Sequence, residues 1–227
     1  MKTTNNLNID IEQTTIGELV AENYHSAGIF KQYGLDFCCG GGRTISSACE
    51  KKGINTDELL DDLNGIAWGE TNTSQQFKAW DPAHLIDHIM DTHHRYVRQK
   101  TEEISAYAAK VARVHGERHP ENKEIYLRFA KLSQELLNHL SEEEQTVFPL
   151  IKSVYKKRLK GEEVTAKERE ELKKQLELMV GDHQEAGDEM AKLRSASHEF
   201  TPPQDACTTY RILYQNLSDF EEDLHQH

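Results

Sequence analysis

From Asp81 onward the chain repeats one pattern: apolar side chains recur at alternating steps of three and four residues, as on a helix with one buried face. Breakers divide the pattern into four stretches. Asp81-Pro82 reads as an N-cap followed by proline at the first helical position, and Gly116 and Pro120 close that helix after about Val114. A second helix is predicted over about 122–159, kinked or ended in its regular part by Pro149. Gly161 separates it from a third over about 165–194, and Pro202-Pro203 force a break before a fourth from about Asp205. Four helices with short connections predict an antiparallel up-down-up-down bundle, and the chain is read as all-α.

Ahead of the bundle, residues 15–63 read as a small helical domain and 64–80 as a polar linker containing Gly65 and Gly69. Short amphipathic helices are predicted near Ile16 and Ala27. Another is predicted from Thr44 to Lys52, after the Gly40-Gly41-Gly42 run, and a last one with Thr56 as its N-cap.

Each bundle helix places a histidine where its own pattern calls for an apolar residue. The first seam runs Met90, His94, Val97, Thr101, Ile104; the second includes Leu136, His139, Glu143 and Val147. The third runs Leu172, Leu176, Met179, His183, Ala186, Met190, and the fourth Leu217, Phe220, Leu224, His227. The successive intervals His94–His139, His139–His183 and His183–His227 are 45, 44 and 44 residues, so antiparallel helices of similar length bring all four to one level. Glu143 follows His139 by one turn and faces the same way. A single core histidine is ordinarily a hydrogen-bonded packing residue, but four at regular spacing with a seam glutamate point to metal ligation. Imidazole suits iron and zinc alike; a buried carboxylate bridging two irons would meet the cost of burying its charge. His115 shares the seam of His94 but lies roughly 31 Å along the helix and is read as a helix-end or packing residue. His88 has a weak supporting case, His93 sits beside the seam, and His119, His198 and His225 read as solvent-facing or terminal.

The net charge of -12 with no basic stripe argues against nucleic acid as a partner. No apolar run approaches the roughly 20 residues of a spanning helix, and the polar N-terminus lacks a signal-peptide pattern, so no membrane association and a cytoplasmic location are expected. Four cysteines without a CxxC pair read as reduced thiols.

Four segments carry a resemblance: Gly34-Leu-Asp-Phe-Cys-Cys-Gly-Gly, His139-Leu-Ser-Glu-Glu-Glu-Gln-Thr-Val-Phe-Pro, Asp182-His-Gln-Glu-Ala-Gly and Thr201-Pro-Pro-Gln-Asp-Ala-Cys-Thr-Thr. They resemble the Repair of Iron Centres family, of the ScdA and YtfE type, from about Ile16 to His227. The resemblance implies an ScdA-type N-terminal domain with a double-cysteine motif over 15–63 and a hemerythrin-like di-iron bundle over 81–227. It implies two non-haem iron ions, oxo- and carboxylate-bridged, held by His94, His139, Glu143, His183 and His227. It further implies a role in restoring iron-sulfur clusters damaged by nitric oxide or oxidants. Iron-sulfur proteins with damaged clusters are then the partners, nitric oxide a ligand, and a homodimer one option for assembly.

Two departures shape the expectation. The family places a second bridging glutamate four positions after the last histidine, whereas this chain stops at His227. A truncated C-terminus is therefore expected, with Asp223 a weak substitute. Oxygen-carrying hemerythrins have a second histidine one turn after the third-helix ligand, where this chain has Gly187. That argues against oxygen carriage and for reaction with nitric oxide or release of iron. Cys38 and Cys39 are either buried and incidental or, exposed by the glycine run, reactive thiols that handle electrons or nitrosyl groups. Iron supply to damaged clusters is the leading reading of function. Reduction of nitric oxide to nitrous oxide and a non-catalytic oxygen or nitric oxide sensor are the alternatives, so whether the protein is an enzyme stays open.

Overall fold

The computed structural model describes residues 9–23, 25–35, 37, 41–66 and 77–226; Cys38, Cys39 and His227 lie outside them. The chain divides into two compact units, one up to Trp80 and one from Asp81. Among the described residues both are helical, with one isolated antiparallel bridge between Thr15 and Thr44. No described helix is long and apolar enough to cross a membrane.

The first unit contains α1 (Ile16–Glu22), α2 (His25–Gln32), α3 (Ile45–Lys52) and α4 (Thr56–Gly65). A capping box starts α1: Glu18 N–H donates to Thr15 Oγ1 at 3.2 Å, and Thr15 N–H donates to Glu18 Oε2 at 2.9 Å. Gly53, at φ +66°, closes α3 in the left-handed conformation that glycine takes without a Cβ penalty. The N-cap of α4 is Asn55, not Thr56: Asn55 Oδ1 accepts from Asp57 N–H at 3.0 Å, and Thr56 becomes the first helical residue. Leu19, Phe30, Ile45, Leu59 and Leu63 form the core of this unit. Cys49 is buried among them, and that burial pushes its thiol pKa up, away from reactivity.

The second unit is a bundle of four rods. The first is α5 (Pro82–Ile89), a π-turn (Met90–His94) and α6 (Arg95–His115); the second is α7 (Glu121–Glu142), a π-turn (Glu143–Val147) and α8 (Phe148–Leu159). Then come α9 (Ala166–Ala196) and α10 (Thr208–Gln226). Helix α6 packs on α7 and α10, and α7 packs on α9. Ile104, Ile125, Phe129, Leu132, Leu193, Leu213, Leu217 and Phe220 fill the interior, with the Phe129 and Phe220 rings edge to face at 5.5 Å.

Two seam assignments and one surface assignment change. Met90 is 37% exposed, because the π-turn adds a residue and rotates both His93 and His94 inward. Leu176 is 45% exposed: the first half of α9 runs beside α8, outside the four-helix core, which α9 joins through Met190 and Leu193. His119 does not simply face solvent. Its Nε2 lies 3.0 Å from Asp205 Oδ1 and its Nδ1 3.3 Å from Glu121 Oε1, tying the α6–α7 turn to the segment before α10. Nearby, His115 Nε2 stands 3.2 Å from Cys207 Sγ, and Asn122 Nδ2 donates to the buried Tyr210 hydroxyl at 2.7 Å.

Leu213→Ala should lower unfolding free energy by about 2–5 kcal/mol through the cavity it leaves, whereas Leu176→Ala should change it by about 0.5 kcal/mol or less; urea melts followed by circular dichroism compare them. At the start of α9, Lys157 Nζ donates to Glu168 at 2.5 Å, and the backbone and hydroxyl of Thr165 add to it. Together they hold the Glu168 carboxyl at about 2, below its ordinary 4.5. The stabilisation is thus complete above pH 4.5 and is lost as pH falls toward 2. An NMR titration should place the Glu168 midpoint near 2, and Lys157→Met should move it toward 4.5.

Candidate metal centre

The residues of interest come from three rods at one level of the bundle. His94 ends the first π-turn, His139 lies in the last turn of α7, Glu143 begins the second π-turn, and His183 sits midway along α9. Both π-turns adjoin seam residues of the predicted site. The second has a visible cause: Pro149 carries no N–H, and the helix ahead of it widens so that Phe148 N–H reaches back to Glu143 O. The sequence reading anticipated a kink or the end of the regular helix at this proline. Nothing in the local sequence signals the first π-turn.

Three donor atoms converge. His139 Nε2 is 2.9 Å from His183 Nε2, and Glu143 Oε1 is 3.4 Å from the first and 4.0 Å from the second. Two ligand atoms about 2.1 Å from one ion stand about 3.0 Å apart at right angles and about 4.2 Å apart in line, so the two carboxylate distances fall within the span of a shared coordination shell and the imidazole pair lies at its lower edge. The other carboxylate oxygen, Glu143 Oε2, lies 3.1 Å from His94 Nε2. Glu143 thus offers one oxygen to the His139–His183 pair and the other to His94. Imidazole nitrogen with carboxylate oxygen is a donor set that suits divalent transition metals, and the residues present fit such an ion.

A second line of carboxylates aims the imidazoles. His94 Nδ1 lies 2.7 Å from Glu144 Oε1, and Arg98 donates to Glu144 Oε2 at 2.9 Å. His139 Nδ1 lies 3.2 Å from Asp182 Oδ2. In each case the ring nitrogen remote from the centre is held by a carboxylate, which turns Nε2 and its lone pair inward. Sequence reasoning missed Glu144 and Asp182; their one available signal was adjacency to Glu143 and His183. His93, beside the seam in sequence, is buried and meets Asp223 Oδ1 at 3.1 Å. Asp223 is therefore engaged by His93. His88 stacks edge-on to His93 at 6.0 Å. Among the described residues, the predicted set is brought together at His94, His139, Glu143 and His183.

Electrostatics separate the two facing imidazoles. Burial opposes a charge on His139, but the hydrogen bonds and charges of Glu143 and Asp182 outweigh it and raise its pKa. Burial lowers that of His183, and the charge of His139 lowers it further. Burial would raise the Glu144 carboxyl, yet its bonds to His94 and Arg98 hold it below the usual range. Glu144→Gln keeps the shape but withdraws the charge behind His94, and should weaken metal binding about 10- to 100-fold. Competition against a calibrated chelator measures this, and an unchanged affinity would show that Glu144 does not position the ring.

Comparison with known proteins agrees with this geometry. Residues 85–227 match the hemerythrin HHE cation binding domain, and residues 12–67 match ScdA_N, a domain of unknown function (DUF542). The chain is 29% identical over 215 residues to the iron-sulfur cluster repair protein ScdA of Staphylococcus haemolyticus, covering 95% of this chain and 92% of that protein. It is 30% identical over 212 residues to the iron-sulfur cluster repair protein YtfE of Cronobacter sakazakii, covering 93% and 89%, and 28% identical to YtfE of Escherichia coli O1:K1 / APEC, covering 93% and 90%. With both domains matched in order and relatives aligned nearly end to end, the chain belongs to the ScdA/YtfE family, whose bundle is a hemerythrin HHE cation-binding domain.

Proposed function

We propose that this protein repairs iron-sulfur clusters damaged by nitrosative or oxidative stress, using iron held as a pair of non-haem ions in the bundle. His139 and His183 would hold one ion, His94 the other, and Glu143 would bridge them through its two oxygens. His227, outside the described residues, is assigned to the same set by its spacing of 44 residues from His183. The observation that carries this reading is the division of Glu143, with Oε2 3.1 Å from His94 Nε2 and Oε1 3.4 Å from His139 Nε2. A carboxylate as buried as this one, surrounded by imidazoles, is what a bridged pair of cations requires.

Held in this way, the iron is cargo for a cluster-deficient acceptor, and the chain's work is to bind, orient and release it. Glu144 and Asp182 fix the ligand rings, and Glu143 itself is buried. Cys38 and Cys39, also outside the described residues, are proposed to handle electrons or nitrosyl groups on the strength of their adjacent placement before Gly40 and Gly41. Gly187 supports the same reading, since it supplies no further imidazole one turn beyond His183.

Iron analysis with Mössbauer spectroscopy tests the centre. The wild type should bind two coupled irons, and Glu143→Gln should lose the coupling or the metal. Loaded with isotopically labelled iron, the protein should transfer label into a nitric-oxide-damaged cluster protein. Absence of iron, or zinc alone, would sink the proposal. Sustained nitrous oxide production with excess reductant and no transfer of label would replace it with the enzymatic alternative.

A further inference from the structure

The segment 201–209 takes no part in the centre described above, yet it carries two metal-ligating side chains, Asp205 and Cys207. Both are exposed and flank the buried Ala206. Opposite them stand His115, the last residue of α6, and His119, in the connection to α7. His115 Nε2 lies 3.2 Å from Cys207 Sγ, and His119 Nε2 lies 3.0 Å from Asp205 Oδ1. The two histidines are one helical turn apart, with His119 N–H donating to His115 O at 2.8 Å, and their rings lie 5.3 and 5.9 Å from that of Tyr210. Behind His119, Glu121 Oε1 takes the other ring nitrogen at 3.3 Å. A carboxylate in that place turns Nε2 toward Asp205, as outer carboxylates do for ligand imidazoles.

We propose that His115, His119, Asp205 and Cys207 form a second metal site, for a divalent ion of the zinc class, at the end of α6 remote from His94. It stands independently of the iron reading. One thiolate, two imidazoles and one carboxylate complete a tetrahedral set, and the sulfur makes it softer than the centre around Glu143. Around an ion with sulfur at about 2.3 Å and nitrogen or oxygen at about 2.05 Å, tetrahedral angles place sulfur and nitrogen about 3.6 Å apart, and nitrogen and oxygen about 3.3 Å apart. Each observed pair lies within about 0.4 Å of that spacing. The two pairs are not yet joined, since among the described residues three donors share one shell at His139, Glu143 and His183 only. Joining them asks for rotation of Asp205 and Cys207, which are exposed and whose Cα atoms, two residues apart, lie within about 7 Å. The hydrogen bond from His119 holds the Asp205 carboxyl below its usual range, so it is ionised when a cation arrives. The bound ion would take the place of the thiol proton, which leaves to solvent, and would clasp the α6–α7 connection to the start of α10.

Cobalt(II) chloride titrated into the reduced, metal-depleted full-length chain tests the site. Thiolate ligation gives a near-ultraviolet charge-transfer band that a centre of imidazole and carboxylate cannot produce. The wild type should show this band. Cys207→Ser should abolish it and lower the cobalt stoichiometry by one, while the double variant Cys38→Ser, Cys39→Ser should retain it. His119→Gln should weaken the site about ten-fold or more, and an unchanged affinity there would overturn the four-ligand set. A wild type without the band, a band that survives Cys207→Ser, or one lost with Cys38 and Cys39 would overturn the second site. None of these results touches the iron reading, whose ligands include no sulfur.

Discussion

The arrangement of the candidate centre depends on one buried carboxylate. Glu143 is 6% exposed, and its two oxygens look toward imidazoles from three different rods. An anion in that position is costly unless cationic or hydrogen-bonding partners surround it, so its environment must be built to order. His139 reaches it because four residues make one helical turn. His94 reaches it from a rod whose π-turn turns two successive histidines inward. His183 reaches it from α9, which packs on α7 at this level. The outer carboxylates, Glu144 and Asp182, lie nearer solvent, where a charge costs less, and they act through the rings between them and Glu143.

Much of this was legible in the sequence because it depends on period and spacing. The seams of α7 and α10 fall where the three-four pattern puts them, from Ile125 through Leu136 and from Tyr210 through Phe220. The equal intervals between histidines anticipated the convergence of His94, His139 and His183. The pattern failed where a backbone irregularity or a missing neighbour intervened. Met90 left the seam because the adjacent π-turn shifted the helical phase, which local propensity does not encode. Leu176 left it because periodicity reveals an apolar face without revealing whether a partner covers it. Glu144 and Asp182 were hidden for a different reason. Their roles depend on contacts 50 and 43 residues away in the chain, and charged residues beside a ligand look like any solvated helix face.

Packing is distributed unevenly around the centre, and that unevenness bears on how metal could be held and yet given up. His94 stacks on Phe148 at 5.5 Å, next to Val97, and His139 adjoins the buried Leu136 and Leu140. Those ligands stand on rods locked into the core on both sides of the centre. His183 is different. Among the residues before it in α9, Leu176, Leu178 and Val180 are exposed while Met179 is buried, and the helix reaches the main core from Ala186 through Met190 and Leu193. Local opening draws on the least buried segments, so of the three candidate imidazoles two stand on a rigid wall and one on a looser wall. A cavity of about 230 Å³ between α7 and α9, lined in part by His139 and His183, lies against that looser wall. Of the three candidate imidazoles, His183 is the most exposed, and it borders the space between α7 and α9.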